Sequence, residues 1–136
     1  MAKVEEALKR VPLFSHLGAR QLRRLADKHR ERRFTVGTTV VREGEMSGIG
    51  FFVIESGEAT VTVSGRDVAT LGPGDHFGEL GLIAGRERAA TVTARTDLAC
   101  LELTAWDFRD LVKGDPDLAW KLLQHVVTVL LDTPAE

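Results

Sequence analysis

Apolar positions along the chain follow two different spacings, and the change falls near residue 34. Before it, Leu22, Leu25 and Ala26 share one face of a basic segment, which predicts a helix over residues 19–32. Val11, Pro12, Leu13 and Phe14 form an apolar staple ahead of it, with Ser15 as a cap, and Pro12 separates an earlier helix over 4–9. After residue 34, short runs rich in Val, Thr, Phe and Ile alternate with glycine-bearing turns, as in a β-sandwich or roll. Strands are expected over 34–42, 51–55, 59–64, 67–71, 91–95 and 98–103. In ATVTV, residues 59–63, strict alternation puts Ala59, Val61 and Val63 inward and both threonines outward. Ser64-Gly65-Arg66 makes a tight hairpin, and Gly72-Pro73-Gly74-Asp75 a second turn.

Helical spacing returns at residue 104. Thr104 caps a helix over 105–113, with Asp107 at its favourable end, and Gly114 stops it. Asp115 caps a last helix that has Pro116 at its first position and runs to about Asp132. That helix is apolar on two sides. Leu118, Leu122, His125 and Val129 make one stripe, and Trp120, Leu123, Val127 and Leu130 another. One stripe packs on the β region; the other is left to cover something or meet a partner.

Composition changes this picture little. The 136 residues suit one domain with one core, and a 43% hydrophobic, 28% charged chain is ordinary for a globular protein. The net charge of −2 hides an asymmetry: residues 1–33 carry ten Lys/Arg against four Asp/Glu, and the remainder eight against sixteen. The basic residues Arg20, Arg23, Arg24, Lys28, Arg30, Arg32 and Arg33 read as a solvated helix face, since no recognition-helix pattern accompanies them. The single Cys100 lies in an apolar run and reads as a buried, inert thiol. No signal peptide or membrane-length run is present, so a cytoplasmic address is expected.

The candidate chemistry lies in residues 77–92, FGELGLIAGRERAATV. Gly78 lets a ligand approach the backbone closely. Residues 79–83 can form one short helical turn whose unpaired N–H groups suit a phosphate. Arg88 offers a planar guanidinium fork to two phosphate oxygens. Glu79, which a phosphate would repel, suits a hydroxyl donor such as a ribose 2′-OH. A structural alternative for Arg88 is a pair with Glu87 or Glu79.

With these motifs in place, the chain resembles the cyclic-nucleotide-binding domain family, the module of protein kinase A regulatory subunits, catabolite activator-type regulators and cyclic-nucleotide-gated channels. Arg42-Glu43-Gly44-Glu45, the run FFVIESGE at 51–58, Leu71-Gly72-Pro73-Gly74-Asp75 and the 77–92 cassette fall in family order. The resemblance implies a mainly β, eight-stranded antiparallel β-roll or jelly-roll. Helices over 1–33 precede the roll (34–103), two helices (104–132) follow it, and a short helix lies inside the cassette. It implies that Arg88 binds the exocyclic phosphate oxygens and Glu79 the ribose 2′-OH, with backbone groups of Gly78, Leu80 and Ala89 completing the pocket. Val61, Val63, Val68 and Leu71 are candidates for the base, or else ordinary core. His125, Val126 and Val129 are candidates for a lid.

In cGMP-selective relatives a threonine commonly follows the phosphate arginine; Ala89 has no hydroxyl to offer, so cAMP is the expected ligand ahead of cGMP. Glu87 stands where the family often has proline, and the turn at 46–50 lacks a frequent aspartate. The resemblance implies a regulatory module and not an enzyme, with no cofactor or metal. It would act on an effector protein or domain that the sequence does not name, with a possible homodimer through the last helix. Three other readings compete. A cupin-type metal site would have only His76 and Glu79 from the β region, too few ligands. Direct DNA binding would need a helix-turn-helix module after the last helix. A degenerate member would keep the roll as an interaction surface without ligand.

Overall fold

The computed structural model describes residues 2–45, 50–78 and 88–132. In chain order these form α1 (Ala2–Lys9), a 3-10 turn (Pro12–Phe14), α2 (Ala19–Lys28), β1 (Arg30–Phe34), β2 (Thr39–Val41), β3 (Gly50–Ser56), β4 (Ala59–Val63), β5 (Arg66–Leu71), β6 (His76–Phe77), β7 (Thr91–Ala94), β8 (Leu98–Thr104), α3 (Ala105–Gly114) and α4 (Pro116–Asp132). The strands make two four-stranded antiparallel sheets, ordered β1-β8-β3-β6 and β2-β7-β4-β5. This is the expected jelly-roll flanked by helices. The helix expected inside the cassette falls outside the described residues.

Strands β3 and β8 are buried on both faces, so they read as continuous apolar runs. Phe51, Val53, Leu101 and Leu103 face the helices, and Phe52, Ile54, Leu98 and Cys100 face the interior between the sheets. On the helical side Phe14 packs edge-on against Phe51 at 5.6 Å and lies tilted against Phe108 at 6.1 Å. On the inner side Phe52 stacks on Phe77 at 5.0 Å. The two aromatic clusters therefore anchor the N-terminal helices to one face of β3 and the mouth of the roll to the other.

Four local expectations are corrected. Helix α2 stops at Lys28, because His29 turns extended (ψ 154°) and its N–H closes on the Ala26 carbonyl at 3.2 Å. Arg30, Arg32 and Arg33 consequently lie on edge strand β1, whose charged exposed pattern imitates a solvated helix face. The strand expected over 34–42 is two strands of different sheets, β1 and β2, separated by a turn at Gly37. Gly18, not Ser15, holds the N-cap position of α2; its N–H donates to Gln21 Oε1, while the Ser15 hydroxyl donates to the Pro12 carbonyl. Finally, strict alternation fails in β4. Ala59 is buried but residues 60–63 are all half-buried, around a bulge between Val61 and Thr62.

The last two helices form as their caps require. Thr104 accepts the Asp107 N–H, and Asp115 accepts the Leu118 N–H at 3.1 Å. Gln21 ties α2 to the start of α4: its Nε2 donates to Asp117 at 3.0 Å, and Lys121 donates to its Oε1 at 3.1 Å. Leu118 and Leu122 enter the core beneath the helices. Beyond them α4 keeps its apolar character but loses its cover, with Leu123, Val127 and Leu130 exposed.

Candidate functional site

The site is built where β3 begins and β6 ends. Gly78 follows β6 with φ +88°, a left-handed conformation that a side chain resists. A Cβ there would lie 2.6 Å from Arg88 Nη1 and 2.7 Å from the Gly50 carbonyl oxygen. Glycine therefore does two things: it permits the turn and lets the guanidinium lie against the main chain. Arg88 itself is 9% exposed, and its Nη2 donates to the Gly50 carbonyl at 2.8 Å.

The backbone of Arg88 is pinned as firmly as its side chain. The Gly44 N–H donates to the Arg88 carbonyl at 2.9 Å, and the Arg88 N–H to the Glu45 carbonyl at 2.8 Å. Gly44 makes this strap possible by adopting φ +84°. Glu43 holds the strap in place: its N–H donates to Thr91 Oγ1 and its carboxylate accepts the Ser64 N–H, both at 2.9 Å. The turn at 42–45 is thus part of the site's frame.

Burial pulls the Arg88 guanidinium below its ordinary pKa, and the charges of Glu102 and Glu45 oppose that effect. Arginine stays charged under such a shift. The result is a desolvated cation at the edge of the roll, held in place by the Gly50 main-chain carbonyl. Such a cation gains most from an anion with two oxygens in one plane.

Of the other sequence candidates, Glu79 and Leu80 lie outside the described residues. Ala89 is exposed beside Arg88. Val61 and Leu71 are half-buried against the inner cluster, and Val63 is half-buried on the same strand as Val61. Val68 is different. The pairings Val61 with Ala69 and Thr62 with Asp67 leave it as the extra residue of a bulge, 58% exposed. On α4, His125 is half-buried with its ring 5.9 Å from that of His16, while Val126 and Val129 are exposed. Trp106 and Trp120 are 52% and 59% exposed. His76 packs edge-on against Phe51 at 6.0 Å, on the helical side of the sheet rather than inside the roll. Among the described residues no three His, Cys, Asp or Glu side chains converge as metal ligands. Nor is any described helix long and apolar enough to cross a membrane.

Comparison with known proteins agrees with this fold. The family model described as cyclic nucleotide-binding domain matches residues 31–115, more than half of the chain. A cAMP-dependent protein kinase regulatory subunit from Yarrowia lipolytica is 44% identical over 107 residues, covering 77% of this chain and 28% of the relative. A cyclic nucleotide-gated potassium channel from Rhizobium etli is 39% identical over 109 residues, covering 80% and 30% respectively. The chain thus spans less than a third of the length of these curated relatives. The crystal structure of the N-terminal domain of a transcriptional regulator from Streptomyces coelicolor superimposes with a TM-score of 0.84 at 30% identity, covering 96% of this chain and 98% of that one. The regulatory subunit of a cAMP-independent protein kinase A from Trypanosoma cruzi, bound to guanosine, superimposes with a TM-score of 0.76 at 27% identity, covering 84% and 41%.

Proposed function

The chain belongs to the cyclic nucleotide-binding domain family, and from that premise we propose that it binds a cyclic nucleotide, cAMP ahead of cGMP, and signals occupancy without transforming the ligand. The carrying observation is the buried Arg88 guanidinium, held by the Gly50 carbonyl and laid against Gly78. A singly charged cyclic diester offers that fork two exocyclic oxygens. Gly78, Leu80 and Ala89 would supply main-chain contacts, and Glu79 the acceptor for the ribose 2′-OH.

Base selectivity rests on Ala89. An alanine methyl gives a guanine amino group no acceptor, so cGMP gains nothing over cAMP at that point. Val61, Val63 and Leu71 remain candidates for the base wall, with Val68 at its exposed rim. The stretch of α4 carrying the half-buried His125 and the exposed Val126 and Val129 is the lid in this reading. Its closure over the base would relay occupancy to an effector protein or domain. The same apolar face could instead pair two copies of the chain. A ligand biases such movement only by binding one arrangement better than the other.

One observation favours a second ligand class: the Trypanosoma cruzi neighbour holds guanosine, a nucleoside without phosphate. A buried guanidinium has no use in such a site, so the two readings separate cleanly. Calorimetric titration of the purified protein with cAMP, cGMP, 5′-AMP and guanosine tests them. The expected order is cAMP first, cGMP weaker and guanosine weaker still. Guanosine binding as tightly as cAMP refutes the phosphate-centred reading, and binding of none of the four leaves the roll as a ligand-free interaction domain.

A further inference from the structure

Glu102 is 2% exposed, and it stands on β8 where its neighbours are hydrophobic on both faces. Leu101 and Leu103 face the helices, so alternation turns Glu102 toward the interior, on the side of Cys100. Across the sheet it is paired with Phe52, two residues along β3 from Gly50, whose carbonyl holds Arg88. Its Oε1 accepts from Arg32 Nη1 at 3.0 Å. Its Oε2 is the buried side-chain oxygen that has no hydrogen-bond partner among the described residues. Buried polar atoms are rarely left so, and each exception calls for a physical reason.

Two cations bear on this carboxylate: Arg32 by direct contact, and Arg88 through its charge. Guanidinium groups only donate hydrogen bonds, and here one oxygen of the carboxylate serves Arg32 while Arg88 feels the carboxylate through charge alone. An amide of the same shape would carry no such charge. The pair with Arg32 also largely cancels the carboxylate's repulsion of an incoming phosphate.

Building on the cyclic-nucleotide reading above, we infer that Glu102 is a positioning residue for the phosphate site, its buried charge holding the Arg88 guanidinium from the rear while the front faces the ligand. Arg32 holds the carboxylate from the other side. Its position on β1, directly after α2, makes Arg32–Glu102–Arg88 a charged path from the ligand site to the strand that leads out of the N-terminal helices.

The test is Glu102→Gln in the full chain, read in two ways. In the ligand-free protein, side-chain NMR of labelled arginine should show faster rotation of the Arg88 guanidinium than in the parent. Calorimetry should show cAMP bound about tenfold more weakly, the scale of losing one nearby charge at the effective dielectric of a protein site. Glu102→Asp, which keeps the charge, should recover most of both. A purely structural glutamate would leave the Arg88 signal unmoved, and that result overturns the inference whatever happens to affinity. A moved signal with affinity within about twofold of the parent overturns it as well. Should Glu102→Gln fail to fold, Arg32→Gln frees the carboxylate from the half-exposed side. It should slow Arg88 rotation; no change there counts against the inference. If the parent itself binds no nucleotide, the functional reading fails, and the Arg88 signal still decides whether Glu102 positions it.

Discussion

Replacing Gly78 with alanine perturbs the site without removing any of its donors. The substitution carries two costs that can be read from the structure. A Cβ in the left-handed region, at φ +88°, costs about 1–2 kcal/mol. The methyl would also sit 2.6 Å from Arg88 Nη1 and 2.7 Å from the Gly50 carbonyl oxygen. The guanidinium, at the end of a flexible side chain, can retreat. The carbonyl cannot, because Gly50 is fixed in register with Thr104 across β3 and β8. Forcing such contacts costs about 1–3 kcal/mol. The sum is about 2–5 kcal/mol, a fall in Tm of roughly 6–20 °C for a domain of this size. Urea denaturation measures the first effect and cAMP calorimetry the second, since a displaced Arg88 should also weaken binding. A variant that loses less than about 0.5 kcal/mol and binds cAMP like the parent would refute the argument that close backbone approach at residue 78 builds the site.

Three further outcomes follow from the same structure. Arg88→Leu should weaken cAMP by at least about a hundredfold, the cost of about 3–5 kcal/mol for breaking a buried charge pair; calorimetry giving an affinity within about twofold of the parent would contradict this. Asp115 is held below the usual carboxylate range, first by the Leu118 N–H and then by Gln21 and Arg24. Its contribution is therefore present above the unfolded value of about 3.9 and lost as pH falls through the lower folded value. Asp115→Asn should accordingly flatten the acid limb of the Tm–pH profile, and an unchanged limb contradicts this. Burial, aided by the charge of Glu55, pushes the Cys100 thiol up to about 12. Iodoacetamide at pH 8 should label it only after denaturation, and stability should decline as pH rises from about 9 toward 12, because the unfolded thiol ionises first; rapid labelling of the native protein would contradict the burial.

The strands legible in the sequence were those with a conventional apolar face. Residues 51–55, 98–103 and 67–71 all fell within β3, β8 and β5. What misled was charge. The segment RERRF has no apolar alternation because β1 is an edge strand, so it reads as a continued basic helix until His29 is seen to turn extended. Two-residue β6 is too short to carry a period at all. For the site, Gly78 and Arg88 could be singled out from side-chain chemistry, and the fold brings them into contact. The strap at Gly44 and Glu45 could not, because it acts through main-chain N–H and C=O groups that leave no trace in residue type. Glu102 was equally invisible: a glutamate between two leucines on a strand ordinarily faces water, and only the two-sided burial of β8 turns it inward.

The most direct trial of the account is the crystal structure of this protein with cAMP bound. It should place the Arg88 guanidinium in a two-pronged contact with the exocyclic oxygens, at about 2.7–2.9 Å, with the phosphate over Gly78. A nucleotide seated elsewhere, or one at Gly78 while the guanidinium stays on the Gly50 carbonyl and touches no phosphate oxygen, would contradict it.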